Sequence, residues 1–168
     1  FGDIPGHVTD DSELAMSLAY AIMDMPDITD LDSNFLYFYY AFWLRTGPKD
    51  IGNTIRKALK YFDEKSQKIT DCFTKDLEEM TKKINMGSLA NGALMRNSPF
   101  CVWFYYTHRE EVEKTFDAKL DGAQKINAFQ TLYMQLKEEA TKDSKITHPN
   151  KEVASAYAFV AFCAISAI

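Results

Sequence analysis

Three short stretches of the sequence hold residue types that could do chemistry. The first is His7-Val8-Thr9-Asp10-Asp11-Ser12-Glu13, a run of oxygen-bearing side chains leading into a helix. Magnesium takes hard oxygen ligands and keeps several waters. Adjacent carboxylates repel, and a cation between them removes that cost. A Thr-Asp-Asp turn can aim one carboxylate at each of two neighbouring metals; on spacing alone, an acidic helix cap is the commoner use of such a run. The second stretch, Ser88 to Arg96, reads as a loop of small residues entering a helix, for which a plain glycine-turn connection is the commoner use. Its backbone N–H groups could face an anion, with Gly92 allowing close approach. Arg96 lies among apolar residues and therefore calls for a carboxylate or a phosphate. The third is Thr147-His148-Pro149-Asn150. A histidine before proline is extended, and its ring can stack on a base or ribose.

Helices must position these groups. Apolar residues recur at helical spacing, strand alternation is scarce, and no internal repeat is present. The first helix is expected over about Ser12 to Asp24, with Asp10 and Glu13 at capping-box spacing and Pro26 as its stop. The second is expected over Ser33 to Arg45, ending at Gly47-Pro48, with its dense aromatics packed into the core. A third begins near Asn53. A fourth, capped by Thr70, presents Phe73, Leu77, Met80 and Ile84 on one face. Pro99 interrupts the chain, and Thr107 with Glu110 forms a second capping-box pattern. A polar helix over about Asp121 to Thr141 and a last apolar helix from about Asn150 complete the set. The expectation is one all-α domain over residues 1–168, its helices crossing at varied angles.

The bulk properties narrow the function classes. The 168 residues are 46% hydrophobic and 26% charged, enough for a core. A net charge of −5 argues against non-specific nucleic-acid binding. Cys72, Cys101 and Cys163 lie far apart without a C-x-x-C pair, so buried free thiols in a reducing compartment, the cytoplasm, are expected. The apolar run Val153 to Ile168 is shorter than a membrane span and rich in small residues, which predicts a buried helix. The chain opens on Phe1 and closes inside that run, so a chain truncated at both ends is expected.

In this order, these pieces resemble the ADP-ribosylglycohydrolase family. GHVTDDSELAMSLAYAI (6–22) is similar to its Thr-Asp-Asp-Ser/Thr metal motif, and WLRTGPKDIGNTIRKAL (43–59) to its Gly-Pro and Asp-Ile-Gly-Asn-Thr stretch. SLANGALMRNSPF (88–100) and ITHPNKEVASAYAFVAFCAISAI (146–168) resemble its Asn-Gly-Ala-Leu-Met-Arg and Thr-His-Pro-Asn segments. The stretch from about Arg109 to Lys142 matches least. The resemblance implies a compact orthogonal multi-helix fold around two Mg²⁺ ions, or Mn²⁺ in some members. It implies Thr9, Asp10 and Asp11 as metal ligands, Asp10 and Asp11 also holding the catalytic water. Ser88, Asn91, Gly92 and His148 would contact ADP-ribose, with Asn53 and Met95 shaping the site. The implied activity is hydrolysis of the bond between ADP-ribose and a modified protein side chain or small acceptor. An inactive ADP-ribose-binding or crystallin-like structural member of the family is the alternative. A ligand-free helical interaction domain, using the aromatic second helix, is a third reading. The implied partner is ADP-ribose or an ADP-ribosylated protein, with no nucleic acid and no membrane, and the protein is expected to be a monomer. The family's N-terminal glutamate and later Asp-x-Asp motif cannot be placed in the chain.

Overall fold

The computed structural model describes residues 6, 8–60 and 72–167. All regular structure among them is helical. Helix α1 (Asp10–Asp24) packs on α2 (Ser33–Arg45), and α7 (Gly122–Ser144) packs on α8 (Lys151–Ile165). Between these pairs lies α5 (Ser98–Thr107), which touches both α1 and α8. Two short helices, α3 (Asn53–Leu59) and α6 (Arg109–Thr115), and the eleven-residue α4 (Lys75–Asn85) complete the set, with a 3₁₀ turn at Asn91–Ala93. No described helix is long and apolar enough to cross a membrane.

The apolar periodicity explains the packing. Leu14, Leu18 and Ala21 of α1 fall on one stripe and are fully buried. They meet Leu36, Tyr37, Tyr40 and Ala41 of α2 and Phe100 and Phe104 of α5 in a single core. Ala154, Ala158 and Ala161 form the buried small-residue stripe of α8, where α7 contributes Leu132, Leu136 and Ala140. Each fully buried Leu or Phe contributes about 1.5–3 kcal/mol. A large residue at Ala158, which has no free surface, would overpack the α7–α8 contact.

Helix ends follow local chemistry, and several differ from expectation. Helix α2 ends as expected: Gly47 adopts φ +72°, a backbone state open to glycine, and its N–H bonds to the Leu44 carbonyl. Asp121 and Gln124 form a reciprocal capping box on α7, which continues three residues beyond the expected end. Asn150 caps α8 through the Glu152 N–H. Asp10 and Glu13, by contrast, form no box. Thr9 is the N-cap and Asp10 is already helical, because both carboxylates are engaged elsewhere. The Thr107 box also fails, since that hydroxyl bonds back to the Trp103 carbonyl and α6 starts at Arg109. Pro99 sits in the first turn of α5 and starts that helix instead of interrupting one. Thr74 caps α4 by accepting from the Leu77 N–H, while the expected cap Thr70 lies outside the described residues.

Helix α4 also turns differently from its apolar pattern. It buries Thr81 and Asn85 and leaves Ile84 exposed. The Asn85 amide donates to the carbonyls of Thr54 (2.9 Å) and Thr147 (3.0 Å), a specific polar demand that overrides the hydrophobic face. The aromatics of α2 are buried or half-buried except Phe42, which is exposed. This removes the main support for an aromatic docking face. Cys72 and Cys101 are buried as expected; Cys163 is exposed, on the outer side of α8.

Candidate active site

Four separated segments meet at one cavity of about 240 Å³. The start of α1 brings Asp10 and Asp11. The loop after α2 and the first turns of α3 bring Asp50 and Gly52 to Ile55. Ala90, Asn91, Gly92 and Met95 come from the 3₁₀ segment, and His148 from the connection between α7 and α8. A hollow of about 390 Å³ between α6 and α7 is larger, but has no comparable grouping of acidic and imidazole side chains.

The first wall is acidic. Asp10 is buried and accepts from the Gly52 N–H at 3.3 Å, which ties α1 to the start of α3. Burial pushes the Asp10 carboxyl above its ordinary pKa. The Gly52 hydrogen bond opposes that shift, while the charges of Asp50 and Asp11 reinforce it. Asp11 is exposed and accepts from the Thr9 hydroxyl at 3.2 Å. Glu13 accepts from Trp43 Nε1 at 2.7 Å, so the last acid of the run holds α2 and does not line the cavity.

Behind His148 and Gly92 lies a buried polar network. Arg96 and Asp143 are completely buried. Arg96 Nε and Nη2 donate to the two carboxylate oxygens of Asp143 at 3.2 and 3.0 Å, and Nη2 also reaches the Asp143 carbonyl. Nη1 donates to the Gly92 carbonyl (3.4 Å) and to Thr147 Oγ1 (3.1 Å). The Tyr40 hydroxyl donates to Asp143 at 2.6 Å, and its ring lies 4.2 Å from the guanidinium carbon. Burial works against the Arg96 charge, but Asp143 outweighs it and holds the guanidinium above its usual pKa. The partner foreseen for Arg96 is therefore a carboxylate, 47 residues away in sequence.

His148 stands where this network reaches the cavity. Its Nδ1 lies 2.9 Å from Thr147 Oγ1, and its Nε2 has no hydrogen-bond partner among the described residues. Burial, with the Arg96 charge, pulls its pKa down to about 3. Gly92 is required here for space. A Cβ at that position would lie 2.8 Å from His148 Cε1 and 2.9 Å from Ile55 Cδ1.

The expected site residues are thus largely brought together. Asp10, Asp11, Asn53, Asn91, Gly92, Met95 and His148 line the cavity. Thr9 and Ser88 do not line it themselves. Thr9 bonds Asp11, and Ser88 bonds Thr54 at 2.9 Å behind the wall. The small-residue stretch does not enter a helix directly; a 3₁₀ turn and a further turn precede α5. His7 lies outside the described residues.

The family model for ADP-ribosylglycohydrolase matches residues 1–168. The chain belongs to the ADP-ribosylglycohydrolase family. It is 31% identical over 105 residues to a protein of Acanthamoeba polyphaga mimivirus provisionally named an ADP-ribosyl glycohydrolase, covering 62% of this chain and 28% of that one. It is 29% identical over 97 residues to the ADP-ribosyl-[dinitrogen reductase] glycohydrolase of Rhodospirillum rubrum, covering 56% and 27%. The matches thus span little more than a quarter of either relative's length. No solved structure gives a significant match.

The donor chemistry of the acidic wall suits the hard divalent cation that this family implies. The charges of Asp50 and Asp11 bear on Asp10, and oxygen is the only donor type the three carboxylates offer. The set is incomplete, because no three His, Cys, Asp or Glu side chains among the described residues group closely enough to hold a metal. Asp50 was missed in the sequence, although it follows the Gly47-Pro48 turn that delivers it. Asp143 gave no signal, lying between Lys142 and Lys145 in a polar helix.

Proposed function

We propose that this cavity is the ADP-ribose site of a metal-dependent glycohydrolase that cleaves ADP-ribose from a modified protein side chain or small acceptor. The supporting observation is the convergence of four distant segments on one hollow, acidic on one side and fixed by buried polar groups on the other. Asp10 and Asp11 would hold Mg²⁺ or Mn²⁺, with Thr9, bonded to Asp11, beside them. That cation would supply charge neutralisation and Lewis acidity to a region of repelling carboxylates. Asp10 and Asp11 would accept hydrogen bonds from ribose hydroxyls and orient water towards the anomeric carbon. The glycosidic bond breaks, water oxygen joins that carbon, and a water proton goes to the leaving atom. Gly92 would let His148 sit against the lining beside the ligand, with Asn91 offering a side-chain amide next to it. Ser88 would act indirectly, by bracing Thr54.

The incomplete donor grouping also favours a second reading, an ADP-ribose-binding member of the family without turnover. One experiment separates the two. Release of ADP-ribose from arginine-linked and serine-linked substrates is measured with and without Mg²⁺, alongside the Asp10→Asn/Asp11→Asn double variant. Magnesium-dependent release that the double variant lacks supports the hydrolase and identifies its linkage. ADP-ribose binding by calorimetry without release supports the binding protein. Neither binding nor release by a folded protein sinks both.

A further inference from the structure

Thr147 joins two buried groups through one hydroxyl. Its oxygen accepts from Arg96 Nη1 at 3.1 Å and lies 2.9 Å from His148 Nδ1. All three residues have no exposed surface. The hydroxyl has one proton to give, and His148 Nδ1 is its only available acceptor among the described residues. If Nδ1 carried the ring proton instead, Thr147 would receive two donors and its own proton would be buried without an acceptor, at a cost of about 1–3 kcal/mol. The Arg96 cation favours the same arrangement, since it draws the oxygen lone pair towards itself and leaves the O–H pointing at the ring. Arg96 cannot easily shift, because all five of its N–H donors have acceptors.

We propose that the Asp143–Arg96–Thr147 chain locks His148 in the Nε2–H tautomer, making it a fixed, neutral hydrogen-bond donor for an acceptor oxygen of the cavity's ligand. The inference rests on reading that cavity as a ligand site. Nε2 is the ring nitrogen left without a partner, and it lies 3.2 Å from where a Gly92 Cβ would sit. The missing side chain of Gly92 thus makes room for the ring that carries this donor at the edge of the cavity. Its complement is a phosphate, hydroxyl or ether oxygen; a group that can only donate is rejected, because it would leave the buried N–H unpaired. Thr147, Arg96 and Asp143 are positioning residues that act through His148.

The test is long-range ¹H–¹⁵N NMR of the histidine rings at pH 7 in the ligand-free protein, with His148→Gln to assign the signals. The expected result is a protonated Nε2 and an unprotonated Nδ1 in the wild type. Thr147→Val should shift the ring to a mixture of tautomers and weaken ADP-ribose binding about tenfold, while Thr147→Ser should keep both properties. A wild-type His148 protonated at Nδ1 overturns the proposal without any variant. So does a single Nε2–H tautomer that survives in a folded Thr147→Val protein. A locked tautomer in a protein that binds no ADP-ribose upholds the lock and removes the ligand reading of the cavity.

Discussion

Two walls of one cavity handle buried charge in opposite ways. Behind His148, each Arg96 donor has an acceptor, and Asp143 takes both the guanidinium and the Tyr40 hydroxyl. At the start of α1, Asp10 is buried beside Asp11 and Asp50 and accepts from one backbone N–H, that of Gly52. The Arg96–Asp143 pair is complete within the protein. The second wall leaves Asp10 beside two like charges, an arrangement suited to a positive or hydrogen-donating ligand. Charge that is buried and paired belongs to the scaffold, and like charges left facing a hollow belong to its ligand.

The sharpest way to break this contrast is to remove the pairing. Asp143→Ala leaves the Arg96 guanidinium buried and alone, and should cost about 3–5 kcal/mol in denaturant unfolding. Asp11→Ala, which removes an exposed carboxylate from the other wall, should change stability by less than about 0.5 kcal/mol. Equal losses from the two variants would mean that the walls do not differ in kind.

The pH response should divide the walls in the same way. The His148 pKa falls from its ordinary 6.5 to about 3 in the folded protein. Between those values the unfolded chain binds the extra proton, so acid favours unfolding. The stability due to neutral burial is fully present above pH 6.5 and is lost as pH falls towards 3, by about 1.4 kcal/mol per unit. His148→Gln should flatten that part of the stability profile relative to wild type. An unchanged slope from pH 6.5 to 4.5 would show that His148 is not buried neutral.

Gly92 lies where the walls meet. In Gly92→Ala, the added methyl must displace both the His148 ring and the Ile55 side chain. The expected cost is about 1–3 kcal/mol, with loss of ADP-ribose binding by calorimetry. Wild-type affinity in that variant would show that the placement of the His148 ring does not bear on the ligand.

How much of this was legible in the sequence depended on the range of each interaction. The periodicity of Leu14, Leu18 and Ala21 and the Gly47-Pro48 stop are local signals, and they predicted α1 and α2 well. The cavity's lining was readable because Asp10, Asn91, Gly92 and His148 lie in short, distinctive segments. The wrong capping boxes at Asp10 and Thr107 have the right spacing, but tertiary bonds to Gly52 and Trp43 claimed the acids of the first, and a back-bond to the Trp103 carbonyl in its own helix claimed the Thr107 hydroxyl. Asn85 in place of Ile84 as a buried face of α4 has the same cause, two carbonyls supplied by other segments. Asp143 was the least legible of all, since only the folded chain brings it to Arg96.

The smallest effect sharpens the comparison most. Asp10→Asn keeps an acceptor for the Gly52 N–H and removes a charge that Asp50 and Asp11 oppose. Stability without metal should therefore stay the same or rise, by up to about 0.5 kcal/mol. A scaffold carboxylate cannot behave in that way, because its loss always exposes a partner. Magnesium should then raise the melting temperature of the wild type, by the mass-action term for a ligand that binds only the folded state, and should not raise that of the variant. If Asp10→Asn instead destabilises the metal-free protein as Asp143→Ala does, the acidic wall is a second structural network. If both proteins gain equally from magnesium, the cation binds somewhere other than this wall.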